Sequence, residues 1–133
     1  MKTFHIGVKA IIVDQDKTLL LKTNEERGSR WEVPGGRIDD NESIPETLKR
    51  ELEEEILNIR SIEVKEIVHV HRLQKDIEGS ISLTLLFYEV TATFDGAIAL
   101  SDEHVDYKWC TREEVAEFVQ PELAEIIQKA FDE

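Results

Sequence analysis

The sequence has few of the residues that stabilise small secreted proteins or anchor proteins in membranes. It contains one cysteine, Cys110, which excludes an intrachain disulfide framework and a zinc site built from several cysteines. No apolar run approaches the roughly 20 residues that a helix needs to cross a bilayer. The amino-terminal residues lack the pattern of a secretory signal peptide. We therefore expect a cytoplasmic protein with no membrane partner.

Basic residues are also scarce. The chain has 16 Lys and Arg but 29 Asp and Glu, which gives a formal net charge of −13. Such a surface repels phosphate backbones, so we expect no binding of duplex nucleic acid. A substrate that carries phosphates would need a cation to bridge it to the protein. Hydrophobic residues still make up 41% of the chain, and 133 residues favour one domain that spans positions 1–133.

Five apolar, β-branched segments predict strands. They lie at 6–13, 18–21, 62–73, 80–94 and 105–110. The first two flank a polar turn at 14–17 and predict an antiparallel hairpin. The third and fourth are expected to pair with each other, with Gly79 at the start of the fourth.

Two capping boxes and a proline mark the predicted helices. Ser43 with Glu46, and Thr111 with Glu114, fit the pattern in which two side chains cap the first turn reciprocally. Pro121 starts a last helix. The expected ends are about Leu57 for the first helix and Phe131 for the last. This order of elements predicts an α+β fold with a mixed β-sheet between α-helices, rather than a doubly wound parallel sheet.

The first predicted helix carries three carboxylates beside its apolar row. The row repeats every four residues and can pack on the sheet: Leu48, Leu52 and Ile56. At about 100° per residue, Glu51, Glu54 and Glu55 fall on a neighbouring face. Like charges at these spacings repel by a few tenths of a kcal/mol per pair. A hard divalent cation removes this repulsion, because Mg²⁺ binds carboxylate oxygens and keeps water and phosphate as further ligands.

An acidic helix face alone is more often solvated than catalytic, and a glycine pair alone marks a turn. Their spacing is what points to a site here. Gly36 is followed by five residues, Glu42, seven residues and then the run RELEEE at 50–55. This segment resembles the Nudix box: Gly, five residues, Glu, seven residues, Arg-Glu, an aliphatic residue, any residue, Glu-Glu, any residue, Gly and an aliphatic residue. Trp31 and Pro34-Gly35 are also usual before that box.

The segment departs from the box at its end. Leu57 stands where the family has glycine, and Asn58 stands where it has an aliphatic residue. The glycine normally ends the helix. Because Asn tolerates a left-handed conformation, we expect Asn58 to cap the helix one residue later, with catalysis retained.

The resemblance implies a hydrolase that uses Mg²⁺ or Mn²⁺ to cleave nucleoside diphosphates linked to another moiety. Carried over residue by residue, it makes Glu51 and Glu55 the chief metal ligands and Glu54 a third ligand or the general base. Gly36 would offer its carbonyl as a further ligand, and Arg50 would orient a carboxylate. Which glutamate acts as the base stays open.

The resemblance extends to residues on either side of the helix. Pro34, Gly35 and Gly36 would form the structural loop, with Glu42 as its support or as a water-mediated metal contact. The stretch from Glu103 to Trp109 is similar to the Glu-His…Tyr-x-Trp segment of many members. There the glutamate often binds metal or acts as base, so Glu103 is a candidate catalytic residue.

Other candidates have simpler explanations beside the functional ones. Three arginines near the box are candidate phosphate ligands, although exposed arginines are common: Arg27, Arg30 and Arg37. His69 and His71 lie on one face of a strand and offer hydrogen bonds to a base or ribose, yet histidines on a sheet surface are commoner. Cys110 is expected to be a buried small hydrophobe.

The substrate is not determined by the sequence. The small size resembles the branch of the family that hydrolyses nucleoside triphosphates to monophosphates. The proline typical of ADP-ribose hydrolases and the tyrosine of many dinucleoside polyphosphate hydrolases are both missing near 73–76. A dinucleoside polyphosphate or nucleotide-sugar hydrolase, a non-catalytic nucleotide-binding module and an acidic interaction domain stay as alternatives. Dimers are frequent in the family, so a homodimer is also a candidate assembly.

Overall fold

A computed structural model describes residues 3–73 and 81–131 of the chain. The predicted strand start at Ser80, the flanking Gly79 and residues 74–76 lie outside the described residues. The strands are β1 Thr3–Asp14, β2 Lys17–Thr23, β3 Trp31–Glu32, β4 Gly35–Arg37, β5 Ile59–Arg72, β6 Ile81–Phe94 and β7 His104–Thr111. The helices are α1 Ile44–Glu55, α2 Val115–Phe118 and α3 Pro121–Gln128, with 3₁₀ turns at Glu25–Arg27 and Lys129–Phe131.

The sheet is mixed, as predicted, and β1 lies at its centre. Strand β1 runs parallel to β6 and antiparallel to both β2 and β4. Strand β2 pairs antiparallel with β3 and β7, and β5 pairs antiparallel with β6. The predicted hairpin closes through Gln15 and Asp16, whose φ angles of 50° and 64° are those of the tight turn that suits the twist of two paired strands.

Alternate residues of the central strands supply two cores, one on each face of the sheet. On one face Val8, Ala10 and Ile12 pack with the apolar row of α1. On the other, Ile11 and Leu20 pack with α2 and α3. The expected arrangement of a sheet between helices is therefore confirmed. Within the described residues, no helix is long and apolar enough to cross a membrane.

The end of α1 differs from the expectation. The helix ends at Glu55 rather than near Leu57, because Ile56 turns to extended backbone and forms a bridge with Leu100. Asn58 is absent from the described residues with positive φ, so it does not form a left-handed cap. Its side chain instead bonds the loop that follows β6, donating to the carbonyls of Asp95 and Ala97 at 2.9 and 2.7 Å.

Candidate active site

A complete capping box fixes where α1 begins. The Ser43 hydroxyl accepts from the amide of Glu46 at 3.2 Å, and the Glu46 carboxylate accepts from the amide of Ser43 at 2.8 Å. These bonds satisfy two of the free N–H groups of the first turn. With the start fixed and the apolar row buried, Glu51, Glu54 and Glu55 line a cavity at the edge of the helix.

The glycine loop closes tightly on the sheet and on this helix. Strand β4 pairs Gly35 with Lys9 and Gly36 with Val8. A Cβ atom at Gly35 would collide with the backbone of Val8 and Lys9, and one at Gly36 would collide with the carboxylate of Glu51. Glycine is therefore required at Gly35, where the backbone of β1 leaves no room, and at Gly36 any side chain would displace the Glu51 carboxylate.

Glu55 is the most deeply buried carboxylate of this site, with 2% of the residue exposed. Burial raises its pKa to about 8, although the charge of Lys9 and a hydrogen bond from Gly35 oppose the shift. That bond runs from the Gly35 amide to Oε2 of Glu55 at 3.0 Å. The neighbouring charge of Glu51 adds to the rise.

His104 and Glu32 form a second layer behind Glu55. Nε2 of His104 lies 3.0 Å from Oε2 of Glu32 and 3.7 Å from Oε1 of Glu55. The His104 side chain is 2% exposed. Burial would raise the pKa of Glu32, but the hydrogen bond from His104 and the nearby charges of Lys9 and Arg30 hold it below its usual value. These contacts limit the freedom of the Glu55 carboxylate.

Arg50 ties the loop to the acidic face. Its Nε and Nη2 donate to the two oxygens of Glu42 at 2.7 and 3.0 Å, and its Nη1 donates to Glu51 at 2.9 Å. The forked bond goes to Glu42 rather than to Glu54, whose carboxylate lies 3.6 Å away. The hydrogen bond from Arg50 is the main reason that the pKa of Glu42 falls to about 2. Arg50 therefore holds the Glu42 carboxylate beside the acidic face of α1.

We call the space between these residues the acidic cavity. Its volume is about 450 Å³. It is lined by carboxylates from α1 and its surroundings, by the glycine loop and by cations: Glu32, Glu51, Glu54, Glu55, Glu103, Gly35, Gly36, Lys9, Arg27, Arg30 and Arg37. All three predicted phosphate-binding arginines and the predicted Glu103 therefore meet in one place. Glu103 pairs with Arg27 at 3.4 Å.

A second, larger cavity adjoins the acidic cavity, and we call it the apolar cavity. Its volume is about 710 Å³. Its walls are mostly hydrophobic side chains of β3, β6 and the α2–α3 region, among them Trp31, Phe87, Phe118 and Leu123. The two cavities share Lys9, Arg30, Glu32, Leu83 and Leu85. A molecule with a flat apolar part and a charged part can therefore occupy both.

The donors of the acidic cavity suit a hard divalent cation. Glu51, Glu54 and Glu55 offer carboxylate oxygens. Burial raises the pKa of Glu51, and the nearby carboxylates of Glu54 and Glu103 add to the rise despite the bond from Arg50. Carboxylates that raise one another's pKa lose that repulsion when a cation binds between them. The ligand atoms of Glu32, Glu55 and His104 also lie within 4.8 Å of one another. The hydrogen bond between His104 and Glu32 explains why these atoms are close together.

Three residues of the site were not predicted from the sequence. Glu32 and His104 lie 72 positions apart, and only the pairing of β3 and β7 with β2 brings them together. Lys9 had a usable signal, since it is a charge inside the apolar run of β1.

Two predicted candidates lie elsewhere. His69 and His71 do not line either cavity. His71 pairs with Glu122 at 3.2 Å, and Nδ1 of His69 lies 2.8 Å from Nζ of Lys129. These contacts join β5 to α3 and its 3₁₀ extension. Cys110 is fully buried, as predicted.

Comparisons with known proteins show which family the chain is similar to. A family model described as NUDIX domain matches residues 3–130. The CTP pyrophosphohydrolase of Escherichia coli K12 is 30% identical over 116 residues, which cover 85% of this chain and 81% of that protein. The 8-oxo-dGTP diphosphatase of Proteus vulgaris is 31% identical over 93 residues, which cover 68% and 78%. The solution structure of the E. coli ORF135 protein superposes with a TM-score of 0.77 at 25% identity, covering 98% of this chain and 91% of that one.

Proposed function

The chain belongs to the Nudix family of pyrophosphohydrolases, and from that premise we propose that it cleaves the pyrophosphate linkage of a nucleotide with the help of Mg²⁺ or Mn²⁺. The observation that supports this most strongly is the acidic cavity. It gathers Glu51, Glu54 and Glu55 of α1, the glycine loop and several cations around one space. An anionic substrate can enter a cavity with this many carboxylates only if cations offset their charge.

In this proposal Glu51 and Glu55 would hold the metal, and Gly36 would offer its carbonyl as a further ligand. Glu54 would be either a third ligand or the general base. When bound, the metal neutralises phosphate charge and lowers the pKa of water. Arg50 keeps Glu51 in place through its bond at 2.9 Å. Glu54 and Glu103 both line the cavity, and one of them accepts the proton of the attacking water. Water adds to one phosphorus, the anhydride P–O bond breaks, and the other phosphate leaves with the electron pair.

A nucleoside triphosphate is the favoured substrate. Two relatives with about 30% identity are named for CTP and 8-oxo-dGTP, and the chain covers most of each. The apolar cavity beside the acidic one is lined by Trp31 and Phe118, which can pack against a base. Its volume of about 710 Å³ falls in the range of small-molecule sites. Location in the cytoplasm and assembly as a homodimer stay predictions.

The test is hydrolysis over a panel of substrates with Mg²⁺, Mn²⁺ or EDTA. The panel contains CTP, dGTP, 8-oxo-dGTP, ADP-ribose, a nucleotide sugar and a dinucleoside polyphosphate. We expect release of a nucleoside monophosphate from one triphosphate, and its loss in EDTA. Turnover of the nucleotide sugar or the dinucleoside polyphosphate alone would contradict the triphosphate assignment. No turnover by folded protein with either metal would favour a nucleotide-binding module.

A further inference from the structure

Lys9 occupies the junction between the acidic cavity and the apolar cavity. It lies on the central strand β1, where Gly35 pairs with it on one side and Phe87 on the other. Gly35 belongs to the loop that contacts Glu55, and Phe87 belongs to the apolar cavity. The backbone around Lys9 is therefore held by both halves of the site.

The Lys9 ammonium has charged neighbours among the described residues. Within residues 3–73 and 81–131, it forms no hydrogen bond or ion pair. Its charge acts on Glu32 and Glu55 from a longer distance. The residue is half-buried, so part of its hydration has been lost. A cation in this position is ready to bind an anionic group that enters between the cavities.

We propose that Lys9 binds the phosphate attached directly to the nucleoside, and so links recognition of the base to the position of the phosphate chain. The proposal rests on the proposed function. A nucleotide with its base in the apolar cavity and its outer phosphates in the acidic cavity has that first phosphate at the junction. Arg30 also borders both cavities, but its side chain is exposed. Lys9 is the half-buried cation there.

A purely structural role for Lys9 would give a different result. In that case its charge would only offset the buried carboxylates of Glu32 and Glu55. Lys9→Gln would then alter stability and metal affinity, but the preference of the site for a nucleotide over a nucleoside would stay. Comparing ligands that differ only in one phosphate separates the two roles.

The experiment measures binding of cytidine, CMP, guanosine and GMP by calorimetry in EDTA. The variants are Lys9→Gln, Lys9→Arg and Lys17→Gln, the last as a control because Lys17 is exposed on the neighbouring strand. We expect the wild type to bind one monophosphate about tenfold more tightly than its nucleoside, which matches one ionic hydrogen bond. Lys9→Gln should lose that preference, and Lys9→Arg and Lys17→Gln should keep it.

Wild type without a preference for either monophosphate, or Lys9→Gln with the wild-type preference, would overturn the proposal. Unfolding curves of each variant serve as the control that it is folded. The assay contains no metal and needs no turnover. A protein that is inactive but still prefers the monophosphate would therefore contradict only the proposed hydrolase function and not the role of Lys9. With an active enzyme, Lys9→Gln should raise KM about tenfold and change kcat less. If the enzyme is active and Lys9→Gln leaves KM unchanged, only the proposed role of Lys9 is contradicted, and the hydrolase function stands.

Discussion

The backbone N–H of Gly35 donates a hydrogen bond to Oε2 of Glu55 at 3.0 Å, across 20 positions of the chain. This bond joins the glycine loop to the last turn of α1. It leaves Oε1 of Glu55 on the side of His104, 3.7 Å from Nε2. The loop therefore does more than turn the chain, because its backbone sets the direction of the most buried carboxylate in the site.

Stability of the metal-free protein should fall as the pH rises from about 4.5 to 8. Glu55 has a pKa of about 8 in the folded state against 4.5 as its ordinary value. Between these values the folded protein holds a proton that the unfolded chain releases, so its contribution is full below 4.5 and is lost by about 8. The slope should approach about 1.4 kcal/mol per pH unit at most.

Urea unfolding in EDTA at several pH values measures this slope. Glu55→Gln should flatten it, whereas Glu53→Gln, an exposed glutamate of the same helix, should not. Equal slopes for Glu55→Gln and the wild type would show that Glu55 is not the group responsible.

Replacing Arg50 should weaken both the fold and the site. Arg50→Ala leaves the partly buried carboxylates of Glu42 and Glu51 without their main partner, at a cost of about 1–3 kcal/mol. Arg50→Lys should recover only part of this, because an ammonium group cannot make the forked bond to Glu42. Unfolding free energies at neutral pH test this order, with the exposed neighbour Lys49→Ala as control. An Arg50→Ala protein as stable as the control would contradict it.

His104 should act as a positioning residue for metal binding. His104→Ala removes the contact that holds Glu32 and limits Glu55, so we expect Mn²⁺ affinity to fall about 10–100-fold. Titration of Mn²⁺ followed by electron paramagnetic resonance measures this without turnover. His69→Ala, on the other side of the sheet from α1, should bind Mn²⁺ as the wild type does. Unchanged affinity in a folded His104→Ala protein would rule out the role.

The end of the box should tolerate its unusual residues. Leu57 is 64% exposed and its φ is not positive, so Leu57→Gly should change kcat less than about threefold. Asn58→Ala should cost about 1–2 kcal/mol of stability, because the side chain bonds Asp95, Ala97 and Ala99. Kinetics for the first variant and urea unfolding for the second test these values. A gain in kcat of orders of magnitude in Leu57→Gly would show that the replacement of glycine impairs the enzyme.

The sequence predicted the parts of the fold that depend on local signals. The capping box at Ser43, the turn at Gln15 and Asp16 and the paired strands β5 and β6 are all present. The predicted end of α1 was wrong because a tertiary contact determines where the helix ends. Ile56 leaves the helix to pair with Leu100, and no residue near Ile56 in the sequence predicts that bridge.

The candidate site was likewise predictable where it depends on local sequence signals and not where it depends on tertiary contacts. Residues of the box share one short segment, so their spacing alone brought Gly36, Glu42 and Arg50 together. Glu32 and His104 meet only because two distant strands border β2. The burial that raises the pKa of Glu55 also depends on the complete sheet. Neither this burial nor the contact between Glu32 and His104 could be predicted from residues that are neighbours in the sequence.

The most direct test of the account compares the turnover of Glu55→Gln and wild type on the best triphosphate of the panel in Mg²⁺. Glu53→Gln serves as the control. We expect a loss of at least about a hundredfold in kcat for Glu55→Gln, with an unfolding temperature no lower than that of the wild type. Turnover of Glu55→Gln within about threefold of the wild type would contradict the assignment of the acidic cavity as the catalytic site.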